Sequence, residues 1–345
     1  MRSMNSSLQR IPEWHDVDDE LFRNEILTQY RPAVLKGLVR HWPAVRHALA
    51  SPEAICRYLC SLDQGNTWNA VLVPPRWRGR MFYEEGLSDF NFVRDKLPVS
   101  AVLSQIARYS HFAEPPSVAM QCAPIAECVP DFVADNTLPI LGEKVLPKLW
   151  LSNRFITPAH FDEMNNVACV VSGTRRFTLF PPEQISNLYI GPLEYTPAGA
   201  PVSMVSLEDP DFRRFPRFRE ALAAAQVAEL EPGDAIFIPA IWWHHVVSLD
   251  VVNVLVNYWW EEPAGAAARI SPVHSLLHSL LSIRHLPPEQ RQAWSRIFSY
   301  FLFDPQQDPA GHIPEHRRGV LGPLTEAQAA AIRQMIHLQE SSVPS

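Results

Sequence analysis

His160 and Asp162 stand two residues apart in the segment Thr157-Pro158-Ala159-His160-Phe161-Asp162-Glu163. Residues two apart in a strand face the same side, so an imidazole nitrogen and a carboxylate oxygen can reach one metal ion. A third donor has to come from a distant strand that packs nearby. Ile238-Pro239-Ala240-Ile241-Trp242-Trp243-His244-His245 offers two histidines. Only one of them can face the ion, because neighbours along a strand point to opposite faces. Two imidazoles and one carboxylate occupy one face of an octahedron and leave three positions open. Those positions suit Fe(II) binding a bidentate 2-oxo acid and then O2. Zinc accepts the same donors, so the donor set alone does not select the metal.

Such donors need a frame of short strands. From Lys148 onward the sequence supplies one: Leu149–Leu151, Val167–Val171, Arg176–Phe180, Ala235–Ile238 and Val251–Tyr258 are β-branched or aromatic runs. Ser172-Gly173 and Pro232-Gly233-Asp234 separate some of them as turns. Many short strands with tight turns predict a sandwich or barrel, of which the jelly roll is one type. The 32 prolines are scattered, which fits a fold with many corners. Upstream, Asp18–Tyr30 reads as a short helix, residues 32–39 as a buried strand, and Ser51–Leu62 as a helix with Ser51 as its cap. Residues 63–145 read as strand-like runs between proline-rich turns. After Pro263 the pattern turns helical, with Leu276, Leu277, Leu280 and Leu281 at helical spacing and a second helix beginning near Thr325. Ala264-Gly265-Ala266 reads as a linker.

The chain has 345 residues, 47% of them hydrophobic and 19% charged, which suits one large core with added helices or two modest domains. Its formal net charge is −7 and it holds no run of Lys and Arg, which argues against gripping nucleic acid by a basic face. The N-terminal residues lack an apolar signal region and no window is apolar enough to span a bilayer, so a cytoplasmic location is expected. Cys56, Cys60, Cys122, Cys128 and Cys169 form no CxxC pair and read as free thiols.

The stretches TPAHFDEMNNVACVVSGTRRFTLFPPEQ and EPGDAIFIPAIWWHHVVSLDVVNVLVNYWW resemble the bacterial cupin-like JmjC proteins. They are similar as well to the asparaginyl hydroxylase acting on hypoxia-inducible factor and to the wybutosine-pathway hydroxylase. The resemblance is strongest over about residues 148–262. It implies a mainly β fold, a double-stranded β-helix (jelly roll), with N-terminal α/β elements and a C-terminal helical region. The expected boundaries are 1–262 for the cupin-like domain, its jelly-roll core at about 100–262, and 263–345 for the helices.

Carried over residue by residue, the resemblance makes His160, Asp162 and His244 the ligands of Fe(II), with 2-oxoglutarate as co-substrate and O2 as oxidant. His244 is preferred over His245 because the family's ligand directly follows the aromatic pair, which leaves His245 to packing or to supporting a ligand. The family usually places a Lys after its glycine turn to hold the distal carboxylate of 2-oxoglutarate. Here Gly173-Thr174-Arg175 places Arg175 there, and a guanidinium can pair with a carboxylate through two bonds. Thr157 matches a hydroxyl donor to that carboxylate, Asn166 and Asn257 match amides at the co-substrate end, and Trp259 matches an aromatic wall. One departure is that Val118-Ala119-Met120-Gln121 offers Ala119 where the asparaginyl hydroxylase has a Tyr. By resemblance alone the C-terminal helices imply a homodimer.

The functional expectation is an Fe(II)/2-oxoglutarate oxygenase, a hydroxylase of a protein side chain, an amino acid, a small metabolite or a modified RNA base. The alternative is a cupin-like metal-binding protein without oxygenase activity, acting as a ligand- or partner-binding module. His312 with His316, and His274 with His278, lack the partners of a metal site. Glu208–Phe218 reads as a surface loop that can reach the rim of the cavity.

Overall fold

The computed structural model describes residues 8–261, 271–304, 306 and 308–341. The expected linker at Ala264–Ala266 lies outside the described residues. Contacts divide the chain into one unit ending at Trp260 and a second beginning at Glu261.

Fourteen strands occur among the described residues of the first unit. They are β1 (Gln9–Arg10), β2 (Glu13–His15), β3 (Ala33–Lys36), β4 (Trp68–Val73), β5 (Val93–Leu97), β6 (Ser117–Pro124) and β7 (Pro147–Ser152). The remainder are β8 (Phe155–His160), β9 (Asn165–Ser172), β10 (Arg175–Phe180), β11 (Gln226–Leu230), β12 (Ala235–Ile238), β13 (Trp243–Ser248) and β14 (Asn253–Trp260). They form a five-stranded sheet in the order β1-β11-β10-β13-β8 and a nine-stranded sheet in the order β2-β3-β12-β9-β14-β7-β6-β4-β5. This is the mainly β, jelly-roll type of architecture.

The alternation along β9 shows how the sheets pack. All eight of its residues are buried. Val167, Cys169 and Val171 join the outer core, whereas Ala168 and Val170 join Phe177, Leu179 and Leu230 of the other sheet. A strand buried on both faces loses its polar alternation, which is why this run reads as continuously apolar.

Three helices cover the outside of the larger sheet: α1 (Pro43–Ala50), α2 (Pro52–Leu62) and α3 (Val99–Tyr109). The Ser51 hydroxyl accepts from the Ala54 N–H at 3.1 Å, as its cap position predicts. Helix α3 departs from the strand-like reading of residues 63–145. It buries Val99, Val102, Leu103 and Ile106, an i, i+3, i+4, i+7 stripe that takes the helical period. The expected helix at Asp18–Tyr30 is divided into α-helical Asp19–Leu21, π-helical Phe22–Ile26 and a 3-10 turn at Leu27–Gln29. The wider π turn lets Phe22 and Ile26 both enter the core, Phe22 meeting the Phe237 ring edge-on at 5.7 Å. The last expected strand starts at Asn253, two residues later than read, because residues 249–252 make the turn that Asn253 Nδ2 closes on Asp250 O at 2.6 Å.

Gly173 connects β9 to β10 with φ +72°. A Cβ there would lie 2.5 Å from Asn253 Oδ1 and 2.7 Å from Val252 O. The turn also sets the register of β10, and a slip of one residue would turn Arg175 outward and Arg176 inward. Gly173→Ala is expected to cost about 1–3 kcal/mol, from the left-handed backbone and the close approach together. Urea unfolding checks this, and an unchanged midpoint would show that the turn can relax.

The second unit contains α5 (Pro272–Ile283), α6 (Pro288–Phe298) and α7 (Glu326–Ser341) after the short α4 (Phe218–Ala223) of the first unit. No residue of α5 or α6 is buried. His312–His316 runs into a 3-10 turn at Glu315–Arg317. Among the described residues, no helix is long and apolar enough to cross a membrane.

Candidate functional site

Strands β8 and β13 are antiparallel neighbours, and their pairing sets His160 opposite His244. The two rings lie 4.2 Å apart between centroids. His160 ends β8, so Asp162 stands just beyond the strand rather than within it. The alternation persists nonetheless: Phe161 turns to the other side and packs edge-on against Trp243 at 4.9 Å. Asp162 Oδ2 comes to 3.6 Å from His244 Nε2. One ligand atom from each of His160, Asp162 and His244 lies within 4.8 Å of the others. Donors on one octahedral face, each about 2.1 Å from an ion, stand about 3 Å apart, so these side chains could hold an ion after drawing closer together.

The backbone selects which imidazole nitrogens are free. His160 Nδ1 lies 2.9 Å from Pro158 O, and His244 Nδ1 lies 3.1 Å from Trp242 O. A carbonyl oxygen only accepts, so each Nδ1 carries the proton and each Nε2 keeps its lone pair for a metal. Burial pushes the His244 pKa down to about 4, with the nearby His160 adding to the effect and Asp162 opposing it. At neutral pH this imidazole is therefore uncharged and ready to ligate. The Trp259 indole N–H donates to Asp162 Oδ2 at 3.0 Å and orients the carboxylate.

The turn that presents His244 is strained. Ile241 adopts φ +66°, rare for a β-branched residue. Three bonds hold the turn: Ile241 N to Asp162 O at 2.8 Å, Ala240 N to Asn165 Oδ1 at 3.0 Å, and the Tyr30 hydroxyl to Ala240 O at 2.6 Å. The first of these ties the backbone of one candidate ligand to the approach of another.

Thr157, Asn166, Arg175, Asn257 and Trp259 line the same cavity as the triad. Arg175 on β10 lines this cavity together with Phe177, Val246 and Leu255 and is 7% exposed. Its buried Nε has no hydrogen-bond partner, and no carboxylate pairs with it among the described residues. Burial pushes its pKa down to about 9, which still leaves a cation at neutral pH. Arg176 faces outward and pairs with Glu229 at 2.7 Å. The amides form a chain: the Trp150 N–H donates to Asn257 Oδ1 at 2.8 Å, and Asn257 Nδ2 donates to Asn166 Oδ1 at 3.2 Å. Trp150, which the sequence reading passed over, shares a face with Lys148 by strand alternation, and that signal could have found it.

Ala119 is buried in a small apolar cluster away from this cavity. A bulge in β6 between Met120 and Ala123, with Cys122 at φ +53°, re-aims the strand. The loop expected at Glu208–Phe218 is only partly a surface loop. Glu208 Oε1 lies 3.1 Å from His245 Nε2 on the outer face of β13, and Phe218 is fully buried at the start of α4. Burial pushes the Glu208 carboxyl up, but His245 and then Arg80 overcome it and hold it at about 2. His245 therefore serves the wall behind the triad. Among the described residues the triad is the only grouping of three potential metal donors, so neither the His274–His278 pair nor His312 and His316 belong to one.

Residues 19–266 match the family model described as the cupin-like domain. The tRNA wybutosine-synthesizing protein 5 of Danio rerio is 27% identical over 326 residues, which is 83% of this chain and 90% of that protein. Lysine-specific demethylase 8 of Xenopus tropicalis is 25% identical over 260 residues, 72% of this chain and 52% of that protein. HSPB1-associated protein 1 of Homo sapiens is 35% identical over 141 residues, 40% of this chain and 28% of that protein. The chain thus spans most of the first of these relatives and about half or less of the other two.

Proposed function

The chain belongs to the cupin-like domain family, and from that premise we propose that it is an Fe(II)- and 2-oxoglutarate-dependent oxygenase, a hydroxylase. The observation that carries this reading is the buried, unpaired Arg175 in the same cavity as the triad. A protein that only held a metal would have no use for an uncompensated cation beside it, because burying one is costly. A dicarboxylate co-substrate supplies the missing negative charge. The donor set fits Fe(II), with three positions left open.

In this reading His160, Asp162 and His244 would hold the metal through Nε2, a carboxylate oxygen and Nε2. Arg175 and the Thr157 hydroxyl would hold the distal carboxylate of 2-oxoglutarate. Asn166 and Asn257, braced by Trp150, would line its path, and Trp259 would keep Asp162 oriented. When bound, Fe(II) and 2-oxoglutarate supply the reaction with O2 that converts a C–H bond to C–OH and releases succinate and carbon dioxide. The apolar side chains around Arg175 exclude water and strengthen its pairing with the co-substrate. The names of the relatives describe tRNA modification in one case and lysine demethylation in another, so one frame serves different substrates.

Anaerobic titration of the Fe(II)-loaded protein with 2-oxoglutarate tests this. A visible charge-transfer band in the wild type and none in His160→Ala is the expected result. Stoichiometric metal binding without a band would favour a metal-binding module that is not an oxygenase.

We propose further that the second unit joins two copies of the chain. Leu276 is 48% exposed, Leu281 79% and Phe303 71%, apolar side chains that a second copy would cover. Replacing Leu276 and Leu280 by Asp is expected to convert a dimer into a monomer in sedimentation equilibrium. An unchanged mass would remove the helices from that role.

A further inference from the structure

A second cavity, of ≈620 Å³, shares Trp150 and Trp259 with the triad cavity. One wall of it is a single face of the larger sheet. The register Asn69↔Lys96 and Val71↔Arg94 puts Arg94 and Lys96 on the same face as Asn69, while Asp95 between them turns away. The segment Thr196–Gly199 also lines the cavity and is tied to Arg94, whose Nη2 donates to Pro197 O at 2.7 Å.

The charge of this cavity has one sign. Its lining includes Arg94 and Lys96 and no Asp or Glu. Neither cation has a carboxylate partner among the described residues. Lys148 adds to them: it lies two residues before Trp150 on β7 and therefore on the same face. Burial raises the pKa of the Cys122 thiol in the lining; Lys148 is near enough to oppose that rise, and Asp162 of the triad is near enough to add to it. The chain as a whole carries a formal net charge of −7, so a local cluster of cations without carboxylate partners beside the triad runs against the general balance.

We propose that this cavity receives the substrate to be oxidised and that the substrate is a small organic acid. Its carboxylate or phosphate pairs with Arg94 and Lys96, and its carbon skeleton passes Trp150 and Trp259 toward the triad. The inference rests on the oxygenase reading for the reaction, but the recognition of an acid stands on the cavity alone. The volume is that of sites for single small molecules, about 300–1,000 Å³. The overall negative charge disfavours a long polyanion. Trp259 touches both ends of the arrangement, since its N–H holds Asp162 while its ring faces the cavity.

Tryptophan fluorescence of the full chain, titrated with 3-phenylpropionate and with its neutral analogue 3-phenylpropanamide, tests the inference. The acid is expected to bind about tenfold more tightly than the amide, a difference that charge pairing alone can supply. Arg94→Gln/Lys96→Gln is expected to remove that preference, and Arg175→Met to retain it. Should the double variant not fold, Lys96→Gln alone, at an exposed position, should weaken the preference several-fold. Equal binding of acid and amide would overturn the proposal. So would loss of the preference in Arg175→Met, which would put the acid at Arg175, or displacement of the acid by bulk tRNA at lower concentration than by inorganic phosphate. The charge-transfer titration separates the two readings. A band without acid preference sinks only this inference, whereas acid preference without a band sinks the oxygenase and leaves an acid-binding cavity.

Discussion

Replacing Arg175 by methionine is expected to abolish useful 2-oxoglutarate binding and, in the same molecule, to stabilise the protein without its co-substrate. Both effects have one origin. Arg175 is 7% exposed, lines its cavity with the apolar Phe177, Val246 and Leu255, and has no carboxylate partner among the described residues. Removing an uncompensated buried charge in favour of an apolar side chain of similar length is expected to stabilise the fold by about 1–3 kcal/mol. Taking the cation away from a buried carboxylate typically costs about 2–5 kcal/mol, so the 2-oxoglutarate Kd should rise by about two to three orders of magnitude. Urea unfolding of the metal-free protein and the anaerobic titration measure the two effects separately. A variant that is less stable than the wild type would mean that the guanidinium has a structural role. One that binds 2-oxoglutarate normally would place the distal carboxylate elsewhere. The opposed signs matter, because a residue kept only for packing would not improve the fold when replaced.

Asp162→Ala is expected to leave a folded protein that no longer retains Fe(II). Asp162 supplies the triad's negative charge, and neither imidazole can replace it. Groups that only orient a ligand are worth about 10–100-fold in metal affinity, so Trp259→Phe, which removes the N–H bonded to Asp162 Oδ2 at 3.0 Å, should fall in that range. Asp162→Ala should exceed it, losing more than about a hundredfold. Protonation does not confuse the comparison. Burial, with help from His160, holds the His244 pKa near 4, and Asp162 is the group that raises it, so the variant's imidazole stays neutral at pH 7. Equilibrium dialysis against Fe(II) under argon gives the affinities, and near-UV circular dichroism reports the fold. Equal affinities for the two variants would contradict the assignment of Asp162 as a ligand.

The site was more legible in the sequence than its surroundings. Strand alternation made His160 and Asp162 readable as a pair, and Phe161 facing Trp243 shows that the alternation runs through Asp162, whereas the preference for His244 over His245 comes from the family resemblance. In the structure the same period turns Arg175, assigned from the family resemblance, toward the cavity and Arg176 outward to Glu229. Helix α3 falls in a stretch that reads as strand-like runs between proline-rich turns, although Val99, Val102, Leu103 and Ile106 carry the helical spacing. Other features had no local signature. Ala119 lies in a buried apolar cluster, whereas Gln121 and Cys122, at the bulge between Met120 and Ala123, line the second cavity. The pairing of Glu208 with His245, and the lowering of its pKa by His245 and Arg80, join residues distant in the chain.

By itself, then, the sequence determined the strand periods, the turns at Gly173 and Gly233, the cap at Ser51 and the chemical types of the metal donors. Each is a matter of backbone preference or spacing within a few residues. Only the tertiary structure decided that His160 would face His244, that Arg175 would be left unpaired, and that Arg94 and Lys96 would share a wall with Trp150. The physical reason is that alternation tells which residues share a face of a strand and nothing about what lies opposite. What lies opposite is set by inter-strand register and by how the two sheets close on each other, and both are cooperative properties of the whole core.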